Sequence, residues 1–576
     1  MNSNIRKVLN YIKRYRLHVV FSTLMAFVIV ASTLYIPILI GRGVDCIIGP
    51  GQVDMEGILF VLQRGAVTIA AGMAAQWLMN VCNNRVTYGV VRDIRRDAFR
   101  KLESLPLSYL DSHPTGDLVS RMTADVDQFA DGLLMGFSQF LTGLLTIFGT
   151  LFFMAGLDLT CTLVVLVLTP MSFLVARFIA SHTFQMFMSQ SRIRGEQTAF
   201  IDETMKGMRL VKACGRERDM AQSFDEINDR LAEASLKATF YSSLTNPGTR
   251  FVNSMVYGAV ATAGAFLVMR GGMSVGLLTS FLSYANQYMK PFNEISGVVT
   301  ELQNALTCAG RVFELLDEES ETDEAHASLP ESVEGRVELS HVAFSYTPDR
   351  ELIRDLNLSV KSGQRIAIVG PTGCGKTTLI NLLMRFYDVN NGSISVEDMD
   401  IRQVKRADLR RCYGMVLQDT WIRNDTVREN IRMGREGVTD EDIAAAARSA
   451  YADGFIRRLP KGYDTVISQE GTALSAGQKQ LLCIARIMLN LPPMLILDEA
   501  TSSIDTMTEQ RIQRAFEKLM KGRTSFVVAH RLSTIRSADV ILVMKDGDII
   551  EQGDHDSLMA AEGFYKKLYM SQFDVV

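Results

Sequence analysis

The sequence predicts an α-helical membrane domain followed by an α/β domain built around a phosphate-binding loop. Three observations predict it. Six apolar stretches, each long enough to cross a bilayer, fill the first half of the chain. An acidic segment poor in apolar residues, 317–332, interrupts the pattern and reads as an exposed linker. Beyond it, Gly370, Pro371, Thr372, Gly373, Cys374, Gly375, Lys376, Thr377 and Thr378 form a complete P-loop. The expected boundaries are 1–316 for the membrane domain, 317–336 for the linker and 337–576 for the α/β domain.

At 576 residues the chain is too long for one ordinary domain. The net charge of −4 argues against a nucleic-acid partner, and no basic arm stands out. The eight cysteines are scattered without a CxxC pair, so reduced thiols are expected rather than a disulfide frame or a metal site. The basic N-terminus (Arg6, Lys7, Lys13, Arg14, Arg16) runs into an apolar stretch without a small-residue cleavage site. It reads as an interfacial helix leading into a retained span.

The apolar stretches are Val19–Ile40, Ile58–Val81, Leu133–Gly156, Leu159–Ala180, Phe251–Met269 and Val275–Val299. The connections at 82–132 and 181–250 are long and rich in arginine and lysine; the others are short with few basic residues. The positive-inside rule therefore puts the long loops and both termini in the cytoplasm. Gln76, Asn80, Asn253, Asn286, Gln287, Asn293 and Glu294 interrupt the spans. They fit either a substrate-lining surface or hydrogen bonds between helices. Phe281, Tyr284 and Tyr288 share a helical face that suits apolar cations or plain packing.

The P-loop has the context its chemistry needs. The β-branched run Ile366–Val369 precedes it, and an apolar helical stretch, Leu379–Phe386, follows. Glycines let backbone N–H groups turn toward phosphate oxygens, and the helix start adds a positive dipole end. Lys376 is expected on the β- and γ-phosphates of ATP or GTP, and the Thr377 hydroxyl on Mg²⁺. Met494–Leu497 reads as a buried strand ending in Asp498, at the strand edge where α/β folds bind ligands.

Further motifs make the resemblance specific. Gln418 follows an apolar strand, and Leu474, Ser475, Ala476, Gly477 and Gln478 precede a helix. Asp498 and Glu499 are followed by Ser502–Asp505, and His530 ends the strand Ser525–Ala529. In order and spacing this resembles the nucleotide-binding domain of an ABC transporter, and the six preceding spans resemble that superfamily's exporter half-transporters.

The resemblance implies ATP and Mg²⁺ as cofactors, with Asp498, Thr377 and Gln418 toward the metal. It implies Glu499 as general base, His530 at the γ-phosphate and Tyr346 stacked on adenine. Ser475, Gly477 and Gln478 would close over ATP bound to the opposite subunit, with Asp505 also on the nucleotide. A dimer is therefore implied. Leu105–Asp117 and Thr198–Glu217 resemble the two coupling segments, expected near Gln418. Ala476, Leu481 and Cys374 depart from the commonest family pattern, and Cys374 reads as a space-filler or a redox-sensitive thiol. The segments 480–482 and 563–573 resemble the catalytically complete subunit of bacterial heterodimeric multidrug exporters, which favours a heterodimer over a homodimer.

The implied function is ATP-driven export of small amphipathic, drug-like compounds across a bacterial plasma membrane, with the nucleotide domain in the cytoplasm. Lipid or peptide export is the alternative within the class. An ATP-gated channel or sensor is disfavoured by Glu499 and His530, and a soluble ATPase by the six spans.

Overall fold

The computed structural model describes residues 2–49, 52–321, 327–330, 332–347, 351–417, 420–468, 474–498, 504–529 and 532–571. The chain divides into two units. One holds residues 1–104 and 113–318, the other residues 105–112 and 319–576.

The first unit is helical. An amphipathic helix, Asn2–Lys13, precedes Arg16–Asp45 and the 50-residue helix Met55–Ser104. Ala124–Met135 runs through a π turn at Gly136–Phe140 into Leu141–Leu157. Leu159–Lys206, Glu217–Ser243, Thr245–Met269 and Val275–Asp317 follow. Every apolar stretch of the sequence falls within one of these helical segments. At 1.5 Å per residue, Met55–Ser104 is about 75 Å long, more than twice the hydrocarbon core of a bilayer. Among the described residues, Arg16–Asp45, Met55–Ser104, Thr115–Leu157 and Arg250–Met269 are long and apolar enough to cross a membrane. The other two apolar stretches lie in helices described only in part at side-chain level.

Beside an apolar cluster, several helix contacts in this unit rest on small and polar residues, as expected where lipid weakens the hydrophobic drive. A Cβ on Gly276 would overlap the Gly41 carbonyl oxygen, so Arg16–Asp45 and Val275–Asp317 cross there backbone to backbone. Asp45 secures the crossing by accepting from Ser274 Oγ and Gly276 N, each at 2.8 Å. Ser280 donates to the Pro37 carbonyl at 2.8 Å, and Tyr284 donates to Leu34 O. Phe281, Tyr284 and Tyr288 are buried in this core, so their shared face packs helices and is not open to a cation. Gln76 donates to Asn80 on an exposed surface. Asn293 and Glu294 lie outside the residues whose side chains are described.

The second unit centres on a six-stranded sheet. Its order is Asp548–Gly553, Val540–Lys545, Arg365–Val369, Thr524–Val528, Met494–Asp498, Tyr413–Val416. The first pair is antiparallel and the remaining neighbours are parallel. Both faces are covered, so its strands read as continuous apolar runs. Leu495 and Leu497 pack into one core, Met494 and Ile496 into the other. An antiparallel sheet of Ile353–Val360, Val337–Phe344, Asn391–Val396 and Met399–Asp400 adjoins the second core.

The end of the expected linker is built into this unit. The buried Glu397 carboxylate accepts from the N–H groups of Glu334 (2.8 Å), Gly335 (2.6 Å) and Arg336 (3.1 Å), and from Arg336 Nε (3.1 Å). Burial opposes its ionisation, but these donors outweigh burial and hold its pKa below the ordinary 4.5.

Candidate functional site

The sheet register aligns the candidate site. Asp498 pairs with Val528, and Val528 pairs with Ile368, two residues before Gly370. Two strand spacings, roughly 10 Å, separate the Asp498 strand from the loop strand. The loop leaves the C-terminal end of its strand, where parallel sheets bind ligands. Gly373 (φ +82°) and Gly375 (φ +102°) occupy left-handed backbone that other residues adopt only under strain. Gly375 leads into the helix Lys376–Leu383, whose first turn has no side-chain cap. Its leading N–H groups are thus left for a ligand oxygen.

A cavity of about 710 Å³ collects these groups. Thr372, Gly373, Gly375, Lys376, Thr377 and Thr378 border it, together with Asp498 and Tyr346. Lys376 Nζ donates to Gly370 O at 2.8 Å and Pro371 O at 2.9 Å, which holds the ammonium within the curve of the loop. Thr377 and Asp498 supply oxygen donors to one space, the donor type a hard cation such as Mg²⁺ requires. Tyr346 donates to Thr378 Oγ1 and accepts from Asn381 Nδ2, both at 3.2 Å. Its ring meets Phe344 and Tyr387 edge-on, with centroids 4.9 and 5.0 Å away. Tyr346 is 47 % exposed, enough to offer a ring face to a planar base.

Other expected residues stand elsewhere. Cys374 is buried in the core beneath the loop, which makes it a space-filler. Ser475 and Gln478 form a reciprocal capping box at the start of the helix Ala476–Met488. A Cβ on Gly477 would come within 2.5 Å of Thr508 Cγ2, so this glycine admits the neighbouring helix. Leu481 is fully packed in the core, where an arginine would lose its hydration. Asp505 caps the helix Thr506–Met520 by accepting from Thr508 N at 2.9 Å, and that bond holds its pKa low. None of Ser475, Gly477, Gln478 and Asp505 borders the P-loop cavity of this chain. Gln418, Glu499 and His530 lie outside the described residues.

Among the described residues, three that border the cavity carry no motif: Thr347, Leu352 and Val528. Val528 had a signal, since it lies in the apolar run Ser525–Ala529 that precedes His530. A larger hollow of about 800 Å³ lies at the opposite, N-terminal strand ends by Pro492, Pro493 and Gly522, away from every phosphate-binding residue.

The first expected coupling segment is divided. Leu105–Ser112 belongs to the sheet-containing unit, and Tyr387 Oη donates to Asp111 there at 2.5 Å. Burial first, and then Asp111, push the Tyr387 hydroxyl above its ordinary range, so it remains a donor. Tyr387 was not legible as a site residue. In the second segment, Met205, near the end of Leu159–Lys206, and Leu210, within the short helix Met208–Ala213, are 66 % and 69 % exposed.

Residues 19–292 match the ABC transporter transmembrane region, and residues 353–502 match the ABC transporter domain. The chain is 42 % identical to the "Fatty acid ABC transporter ATP-binding/permease protein" of Mycobacterium tuberculosis, over 90 % of this chain and 82 % of that one. It is 34 % identical to a "Putative multidrug export ATP-binding/permease protein" of Staphylococcus aureus, over 99 % of this chain and all of that one. Its structure is similar to that of a bacterial Atm1-family ABC exporter with ATP bound, with a TM-score of 0.79 and 28 % identity over 97 % and 98 % of the two chains.

Proposed function

The chain belongs to the ABC transporter family as an exporter half-transporter, and on that premise we propose that it exports amphipathic compounds by alternating access. It is an ATP hydrolase coupled to transport, and it sits in the bacterial plasma membrane with its nucleotide domain in the cytoplasm. Exporters of this family work as dimers in the bilayer. The observation that carries the reading is the shared cavity of the P-loop, Thr377 and Asp498 in a chain whose other unit is a set of membrane-length helices.

Phosphoryl transfer to water needs neutralised phosphate charge, an oriented water and exclusion of solvent. The loop amides and Lys376 bind the phosphates, and Tyr346 takes the adenine. Thr377, Asp498 and Gln418 hold Mg²⁺, which supplies charge neutralisation when bound. Glu499 accepts the proton of the attacking water, and His530 orients toward the γ-phosphate. Ser475, Gly477, Gln478 and Asp505 act on the nucleotide of the partner subunit, consistent with their absence from this chain's own cavity. Closure over ATP favours an outward-open membrane domain and hydrolysis resets it.

The partner is a second, different half-transporter. Drug-like compounds are the primary substrates; a lipid-like substrate is the second reading, favoured by the 42 % identity to a protein named for fatty acids. The test is Mg²⁺-ATPase activity of the chain alone in lipid nanodiscs, beside Glu499→Gln. The expected result is ATP binding with turnover no faster than the variant's, restored by the partner subunit. Turnover by the chain alone that the variant lowers by at least ~100-fold would establish a homodimer and keep Glu499 as base. Equal turnover by both forms in a complete dimer would remove Glu499 from the chemistry.

A further inference from the structure

The stretch Ile58–Val81 carries one charged side chain, Arg64. It lies nine residues inside the helix Met55–Ser104, about 13 Å from the helix start. The short loop at that end faces outward by the positive-inside rule, so Arg64 sits at the depth of the outer leaflet. A charge at that depth is costly unless it serves a site or reaches a polar phase.

Two of the acids at this end of the unit are engaged elsewhere. Asp45 accepts from Ser274 and Gly276, and Asp54 accepts from Gly57 N at 3.0 Å. Among the described residues, Arg64 makes no ion pair. Its guanidinium lies over the Phe60 ring, 4.2 Å from the centroid. A cation–π contact uses none of the guanidinium N–H groups in an ion pair, so they remain available for a planar carboxylate. A Cβ on the adjacent Gly65 would meet nothing within 4 Å, so there is room beside it.

A second arginine stands at the same height. A Cβ on Gly43 would touch Val61, and one on Gly72 would touch Ser32. The two helices thus run antiparallel in step, eleven residues on each side between those contacts. This register sets Arg42 level with Leu62 and Arg64 level with Ile40, a height difference of about 3 Å. Both arginines are exposed, and Arg42 also makes no ion pair among the described residues.

We propose that Arg64, with Arg42 at its height, receives the carboxylate of an anionic single-chain amphiphile during transport. The inference rests on the export of amphipathic compounds proposed above and specifies the headgroup. The aromatic and aliphatic surroundings suit the tail, and two uncommitted guanidiniums suit the head.

The test is amphiphile-stimulated ATPase activity of the full transporter, with its partner subunit, in nanodiscs. Oleate is compared with oleyl alcohol, which has the same tail and no charge. The half-stimulating oleate concentration is expected to rise about tenfold in Arg64→Gln, the loss of one charge-assisted contact. Basal activity and the oleyl alcohol response stay unchanged. Arg64→Lys keeps part of the oleate response, and Arg42→Gln gives a smaller shift of the same kind, an independent probe should Arg64→Gln not fold. An oleate curve unmoved in Arg64→Gln and Arg42→Gln, or equal shifts for oleate and oleyl alcohol, would overturn the headgroup assignment and leave export standing. A basal rate that follows phosphatidylglycerol content only while Arg64 is present, with the oleate curve unmoved, would reassign the arginine to bilayer phosphate. Stimulation by neither amphiphile would overturn the headgroup assignment together with the lipid-like reading.

Discussion

Residues 494–497 and residues 148–152 are both strongly apolar, yet the structure treats them in opposite ways. Met494, Leu495, Ile496 and Leu497 have no exposed surface, while Phe148 and Phe152 are 66 % and 78 % exposed. In the sheet unit apolar side chains meet each other, and their removal from water stabilises the fold. In the helical unit many of them point outward, because lipid is as apolar as the interior. Beside an apolar cluster, cohesion there falls to close backbone crossings and to buried polar contacts, such as Gly41 on Gly276 and Ser280 on Pro37. Composition alone does not separate the two cases; the surrounding solvent does.

The largest test of this contrast is Leu497→Ala. It opens a cavity between strands and helices and is expected to cost about 2–5 kcal/mol, read as a lower midpoint in thermal unfolding of the purified transporter. A change below about 1 kcal/mol would show that the sheet core is looser than its burial implies. Gly41→Leu comes next. It inserts a side chain at a backbone crossing and is expected to cost about 1–3 kcal/mol, read as faster inactivation in detergent. Unchanged inactivation would mean that the crossing is not a point of cohesion.

A smaller effect sharpens the contrast on the sheet side. Glu397 has a lowered folded pKa, so its stabilisation is present above the ordinary value of 4.5 and is lost as pH falls below it toward the folded value. Glu397→Gln should lower the melting temperature at neutral pH and flatten its decline on acidification. An acid limb as steep as the wild type's would assign acid sensitivity to other carboxylates. Phe152→Leu should have the smallest effect, within about 0.5 kcal/mol, because the ring is exposed and both residues suit lipid. A loss comparable to Leu497→Ala would reveal a packed partner for that surface in the dimer.

The chemistry-bearing segments were the most legible part of the chain because their signals are local. A loop needing left-handed backbone at Gly373 and Gly375 announces itself by glycine, and a strand covered on both faces announces itself as an unbroken apolar run. The helices of the membrane half were legible from length and hydropathy, and the capping of Ala476–Met488 by Ser475 followed from the residue types at its start. The aromatic face of Phe281, Tyr284 and Tyr288 was ambiguous, since periodicity alone identifies a shared face and not what covers it.

By itself, then, the sequence determined the two kinds of domain, the phosphate loop and the strand that ends in Asp498. Only the tertiary structure decided that Tyr387 joins Tyr346 to Asp111, that Glu397 gathers the N–H groups of residues 334–336, and that Arg42 and Arg64 share a height. The physical reason is sequence separation. Backbone conformation and hydrophobic period are set by near neighbours, whereas these contacts join residues that lie tens to hundreds of positions apart and meet only once helices and sheets have packed.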